Sequence, residues 1–266
     1  MRLDFHTHGK LAKKLSFSTA YTDWLFGEAR RAGLDALCLT EHFNTLQFAD
    51  LYGYLSSISR RVGDTLELEN GLHIFPGMET DVAEVGHILS IGPLEAILEL
   101  NRRLEPYKEK SRFLPFAQLM DLFEEYPVLV GCGHPYRAPG HVPEQPEEQL
   151  ARLSFLDLNG KDLALDRART EALTYALGKK LGIPVVSGSD THQAVQYGCV
   201  STLFEKEITT LPALKAEMEA GRYRIQLSDQ AAFQVRTACL LKRSLKEIHA
   251  LGGDYVSILT AREAIA

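Results

Sequence analysis

Short apolar runs of strand length alternate with amphipathic stretches of helix length along most of this chain, and that alternation limits the fold more than any single motif. LDFHTH, ALCLTEH, LHIFPGMETDV, GHILSIG, PVLVGCGHP, FLDLNG and IPVVSGSDTH read as strands. Runs this short and apolar suit a sheet covered on both faces. Helical stretches lie between them. Ser18 or Thr19 caps one that carries Tyr21, Trp24, Leu25, Ala29 and Ala32 on one face and stops at Gly33. A second covers roughly 47–62, a third lies near 94–103, and a fourth near 115–125 stops before Pro127. Asp166 caps another, with Ala172, Leu173, Ala176 and Leu177 inward and Gly182 at its end. Repeated βα units imply a mostly parallel sheet with helices outside it. A length of 266 residues suits one large α/β domain. The stretch after about 225 reads as helical and poor in polar chemistry, which makes 226–266 a helical appendage packed on a domain of 1–225.

The polar residues sit where such strands end. Side chains two apart in a strand share a face, so His6 and His8 point the same way, as do Asp190 and His192. Glu41, His42, Glu79 and His134 also close strands, and His87 belongs to GHILSIG. A barrel of βα units gathers its active-site residues at that rim. Gly77 before Glu79 and the small residues before His134 allow close backbone approach. Burying this many imidazoles and carboxylates without partners costs kilocalories each, which a metal cluster offsets. The donor set suits zinc, iron or manganese, with carboxylates able to bridge two ions. Only Cys132 among the four cysteines stands near such a position. The cysteines form no CxxC pair, which excludes a small disulfide scaffold and points to reduced thiols in the cytoplasm. No apolar run reaches 18 residues and no secretory leader is visible, so no membrane role is expected. A net charge of −6 argues against a broad grip on nucleic acid, but leaves room for a small basic pocket around a phosphorylated substrate.

The ordered run DFHTH, TEH, GMETDV, GHILSIG, GHPYR and GSDTH resembles the motifs of the polymerase and histidinol phosphatase superfamily over about residues 1–225. The resemblance implies a distorted (β/α)7 TIM-like barrel with two or three divalent metal ions at the C-terminal face of its strands. It implies a phosphoesterase in which metal-activated water cleaves a small phosphate monoester, histidinol-phosphate-like or nucleotide-like. A short oligonucleotide is the most nucleic acid expected as a partner. Carried over by position, His6, His8, Glu79 and Asp190 hold one ion. Glu79 bridges to a second, held also by His87 and His134, and His42 and His192 belong to a third. Arg137 resembles the arginine that clamps phosphate in such enzymes, and Asp190 or His192 would handle protons.

One departure stands out. The family usually has Asp or His five or six residues after the second histidine, where this chain has Lys13 and Lys14. A protonated lysine is a poor ligand and repels a cation. Either the third metal is absent or weak and Lys13 or Lys14 binds phosphate in its place, or the loop differs in length and Ser16 or Ser18 falls there. Glu41 also replaces the usual Asp. Asp4 is expected to orient His6 or His8 or to touch the site directly. Asn159 and Lys161 are further candidates for substrate contact, Tyr197 and Arg112 weaker ones. His73, His141 and His249 read as ordinary surface or loop residues. Two rival functions remain: an amidohydrolase-like carbon–nitrogen hydrolase using the same metals, and a non-catalytic metal-binding or regulatory domain. The lysines favour the latter, and the retained Glu79, His134 and Asp190 oppose it.

Overall fold

Seven strands wind into a nearly closed barrel in the computed structural model, which describes residues 1–261. The chain enters through β1 (Arg2–Thr7), α1 (Thr19–Arg31), β2 (Ala36–Leu39) and α2 (Phe48–Ser57). A side hairpin, β3 (Ser59–Val62) with β4 (Thr65–Leu68), leads into β5 (His73–Val82), β6 (Gly86–Ile91), α3 (Leu94–Arg103) and α4 (Phe116–Glu124). Then come β7 (Leu129–Gly133), α5 (Glu147–Leu150), β8 (Phe155–Asn159), α6 (Gly160–Leu165), α7 (Arg167–Leu181) and β9 (Val185–Gly188). β10 (Val200–Phe204), α8 (Leu211–Glu219) and β11 (Tyr223–Leu227) follow, and α9 (Ala231–Ala250) and α10 (Tyr255–Thr260) end the described chain.

The barrel order is β1-β2-β5-β6-β7-β8-β9, with β10 and β11 added antiparallel on the outer side of β1. It closes where His8 N donates to Thr191 O (3.1 Å) and Asp190 N donates to His6 O (2.7 Å). Closure requires a glycine: a Cβ on Gly188 would fall 2.2 Å from the Cβ of His6. Alternate strand residues divide into two layers. Leu3, Phe5, Phe75, Leu89, Phe155 and Val186 pack together inside the barrel, while Leu25, Leu37, Ile74, Ile88, Leu119 and Leu156 join strands to the surrounding helices. That is the distorted TIM-like architecture expected.

Several expectations need correction. The sheet is less parallel than the βα rhythm implies, because β6 runs antiparallel to both β5 and β7. The connection from Val82 to Gly86 is too short for a parallel crossover, which needs a dozen residues or more. The helix read over 47–62 ends at Ser57, and Ser59–Val62 pairs with Thr65–Leu68. α7 has the expected Asp166 and Gly182 caps but buries Thr174, Leu177 and Gly178, leaving Ala172 and Ala176 exposed. The boundary at 225 falls inside β11. α9 is tied to the barrel by Gln234 Nε2, which donates to the carbonyls of Val195 (3.2 Å) and Tyr197 (3.1 Å). α10 rests on α1 through Tyr255 and Tyr21, 5.8 Å between ring centres.

Candidate metal centre

Two departures from regular sheet bring the ligand candidates together. Between Asp4 and Thr7 the register of β1 against β2 slips by one residue: Asp4 pairs with Leu37, Thr7 with Leu39. This bulge reverses the alternation, so His6 and His8 face inward above Leu3 and Phe5 rather than away from them. The reversed β6 does the equivalent for His87. It stands at the start of its strand, opposite Asp81 and Gly133, and so reaches the rim where the neighbouring strands end. His134 and Asp190 occupy left-handed backbone at φ 34° and 56°. Non-glycine residues there carry strain that surrounding structure must hold.

Glu79 is the hub. Its Oε1 lies 2.7 Å from His87 Nδ1, 3.3 Å from His6 Nε2 and 3.4 Å from His134 Nε2. Its Oε2 lies 2.8 Å from His42 Nδ1 and 3.5 Å from His8 Nε2, which is itself 3.4 Å from Asp190 Oδ1. Three groups of donor atoms converge within 4.8 Å: His6, His8 and Asp190; Glu79, His87 and His134; and His8, His42 and His192. The third needs neither lysine. Lys13 Nζ points to Asp81 (3.7 Å), Lys14 and Ser16 are exposed, and Ser18 caps α1.

The donor set fits divalent cations on a direct test. Among the described residues, His6 Nε2, both nitrogens of His8, His42 Nδ1 and Glu79 Oε2 are buried without a hydrogen-bond partner. Glu79 Oε2 and His42 Nδ1 are close but out of line for one. So many orphaned lone pairs in one place would be costly with no cation to share. Burial alone would raise the Glu79 carboxyl, but the charges of His87, His42 and His6 outweigh it and hold it well below its ordinary value. At Asp190, Lys161 and Arg137 likewise overcome burial. Burial pushes His42, His134 and His192 down, which keeps their lone pairs available. His87 is pushed up to about 10, since the charge of Glu79 and the Asp81 hydrogen bond overcome burial. A cation bound there would displace that proton.

Other side chains fix the rings. Asp157 Oδ2 meets His6 Nδ1 at 2.9 Å, Asp81 Oδ1 meets His87 Nε2 at 3.1 Å, and the carbonyl of Lys10 meets His192 Nδ1 at 2.9 Å. Each contact sets a tautomer and leaves the other nitrogen facing the centre. Nothing in the local sequence singles out Asp157 or Asp81, although each stands two residues from another inward polar residue, Asn159 or Glu79. Asp4 takes a different role from the one expected: it touches no imidazole, and its Oδ1 accepts from the amides of His6 (3.1 Å) and Ser189 (2.8 Å). Arg137 donates to Asp190 (2.8 Å), Asp162 (2.8 Å) and Asn159 (2.7 Å), and Lys161 Nζ lies 2.8 Å from Asp190 Oδ1. Cys132 is buried with its thiol toward Gly133 O and joins none of the three groups. Tyr197 is buried and Arg112 exposed. His73 is buried rather than superficial, against Thr65. His141 pairs with Glu144, and His249 packs on Tyr255.

Several clefts border the centre, two of them rich in lysine. One of about 1320 Å³ beside His87 is lined by Lys13, Lys14, Asn44, Asp81 and Lys108. The other, about 370 Å³ beside His192, is lined partly by Lys242, Arg243 and Lys246 of α9. Burial and the charge of Lys161 push the Lys242 ammonium down to about 8. The C-terminal stretch therefore carries polar chemistry that its helical pattern concealed.

No family model matches this sequence, and no curated protein does. Solved structures share its fold. PsfC from Pseudomonas syringae PB-5123 superposes with a TM-score of 0.71 at 21% identity, covering 92% of this chain and 98% of its own. The lesion-specific endonuclease Q of Pyrococcus furiosus gives 0.61 at 18% identity over 84% of this chain, which spans 57% of the endonuclease. A chain from Bifidobacterium adolescentis to which metal-dependent phosphoesterase activity is attributed gives 0.51 at 15% identity, covering 82% of this chain and 95% of its own. At these identities the likeness is one of fold. No helix among the described residues is long and apolar enough to cross a membrane.

Proposed function

We propose that this chain is a metal-dependent phosphoesterase of the polymerase and histidinol phosphatase type, acting on a small phosphorylated molecule. The observation that carries the reading is the convergence of three donor groups on Glu79 with their buried nitrogens unpaired. His6, His8, Glu79 and Asp190 would hold one ion; Glu79, His87 and His134 a second; His8, His42 and His192 a third. Zinc, manganese and iron all suit imidazole with carboxylate. Bound there, such ions activate water and neutralise charge developing on a phosphoryl group.

The chain's own residues do the rest. Glu79 spans two donor groups with its two oxygens and fixes their separation. Arg137 and Lys161 hold the two oxygens of Asp190, and guanidinium hydrogens not engaged with Asp190, Asp162 and Asn159 remain for a phosphate oxygen. His192, kept neutral by burial, offers the nitrogen opposite its bond to Lys10 O to the third ion, and would handle a proton only with that site empty. Lys13 and Lys14 stand on the cleft beside His87, where they draw in an anionic substrate without entering a donor group.

The test is elemental analysis of untagged protein together with a phosphoester panel. Two or three divalent ions per chain are expected, with turnover lost on chelation and restored by Mn²⁺, Zn²⁺ or Fe²⁺. Less than one ion per chain, and no turnover after each metal is added back, would defeat the proposal. Carboxamide or lactone hydrolysis without phosphoester hydrolysis would assign the centre to carbonyl chemistry instead.

A further inference from the structure

The cleft beside His192 differs in kind from the cleft beside His87. The larger cleft mixes lysines with Asp50, Asp81, Glu105 and Glu109. The smaller is lined by Lys161, Lys242, Arg243 and Lys246 and by no carboxylate, in a chain whose net charge is −6. Lys242 and Lys246 are four apart on α9, on one face, where like charges repel. Among the described residues, Lys242, Arg243 and Lys246 form no ion pair, although Lys242 is half-buried. Ala238, Gln193, Gln196 and Cys239 add no acidic side chain to this lining; Asp190 lies outside it and pairs with Lys161 at 2.8 Å, not with the cations of α9. Gln234 fixes α9 to the carbonyls of Val195 and Tyr197, so the cations are held against the segment that follows His192. A volume of about 370 Å³ is that of a small-ligand pocket.

We infer that α9 supplies a second anion subsite beside the metal centre, so that the substrate carries a second phosphoryl group besides the one that is cleaved. The inference rests on the phosphoesterase reading for the fate of the first group. The second would sit between the Lys242–Lys246 face of α9 and Lys161, bordered on the side of the metal centre by His192 of the third donor group. Each ammonium donates charge-assisted hydrogen bonds to phosphoryl oxygens and in turn loses the repulsion of its neighbours. A simple monoester would leave the subsite unfilled, which makes the spacing between two phosphoryl groups a determinant of specificity.

Calorimetric titration with inorganic pyrophosphate tests this on full-length protein stripped of metal by chelation. K242M/K246M should weaken binding at least about tenfold, as expected for loss of charged hydrogen bonds. K242R/K246R should restore it, and unchanged circular dichroism would show that both variants are folded. Equal binding by wild type and K242M/K246M overturns the subsite, as does failure of the arginine variant to restore it. A short DNA duplex that binds more tightly than pyrophosphate, and is lost in the same methionine variant, overturns the small-molecule occupant. This titration needs no turnover. A protein that binds pyrophosphate as expected yet hydrolyses no phosphoester when metal-loaded would keep the subsite and defeat the phosphoesterase reading alone.

Discussion

The inward side chains of the barrel strands change character within one to four residues. In the lower layer they are Phe5, Phe75, Leu89, Phe155 and Val186, packed on one another and almost wholly buried. Further toward the rim, the same strands and the turn after β9 present His6, Glu79, His87, Asp157 and Asp190, all buried except the half-buried His87. The lower layer satisfies itself, because apolar side chains need only each other. The upper layer does not: several of its nitrogens and oxygens have no partner within the protein. The contrast teaches that stability and chemistry are stacked rather than mixed. The aromatic floor holds the backbone in place while the rim carries groups that would be unfavourable without a cation.

The clearest way to break this separation is to remove the hub. E79Q keeps the shape but takes one oxygen and the charge from the centre, and should lower kcat/KM about a thousandfold or more while leaving the fold intact. Elemental analysis of the folded variant should show reduced metal; full occupancy with full activity would mean that Glu79 is not the hub. F155A attacks the floor instead, removing a ring 5.6 Å from that of Phe5. It should cost about 3–5 kcal/mol in denaturant unfolding without lowering the metal content of folded protein. If metal falls with stability, the two layers are one unit.

Chelation probes the same separation from the side of the rim. Restoring metal at about a hundred times its dissociation constant should stabilise the chain by about 3 kcal/mol, read as a higher melting temperature. No shift would mean that the orphaned rim atoms find partners some other way. D157N leaves the rim intact but loosens His6, and should reduce metal affinity about 10–100-fold with little change in melting temperature of the metal-free protein. The smallest effect is expected for K13M and K14M, about a few-fold rise in KM for a phosphoester with kcat unchanged, since these groups lie at the exposed edge of the cleft. A drop in kcat with loss of metal would instead place Lys13 or Lys14 beside a donor group.

Much of this was legible in the sequence because it is local. H-x-H, GMETDV, GHPYR and GSDTH mark strand ends through the company their polar residues keep, and the structure brings His6, His8, His42, Glu79, His87, His134, Asp190 and His192 within one constellation. What was hidden depends on hydrogen-bond register and tertiary approach. The slip in β1 that turns Phe5 and His6 to the same side leaves no trace in LDFHTH, since it is defined only against β2. The reversal of β6 was readable in principle, because three residues cannot carry a parallel crossover. Asp157 was obscured by the apolar character of FLDLNG. Lys242 and Lys246 fall in the stretch that reads as helical and poor in polar chemistry, because nothing in α9 says which way it lies against Gln196 and His192.

The closure of the barrel bears on how the protein is made. β1 leaves the ribosome early, yet the groups that complete it come far later: Asp4 accepts from the amide of Ser189, a separation of 185 residues. His6 and His8 therefore have no Asp190 or His192 beside them until most of the chain has been translated. Ordering such distant contacts carries a loop-closure entropy that local hairpins avoid. The β5–β6 hairpin, by contrast, places Glu79, Asp81 and His87 together as soon as it forms. A divalent ion taken up at this centre would therefore meet only part of the donor set early in synthesis, and all of it only after the last barrel strand docks.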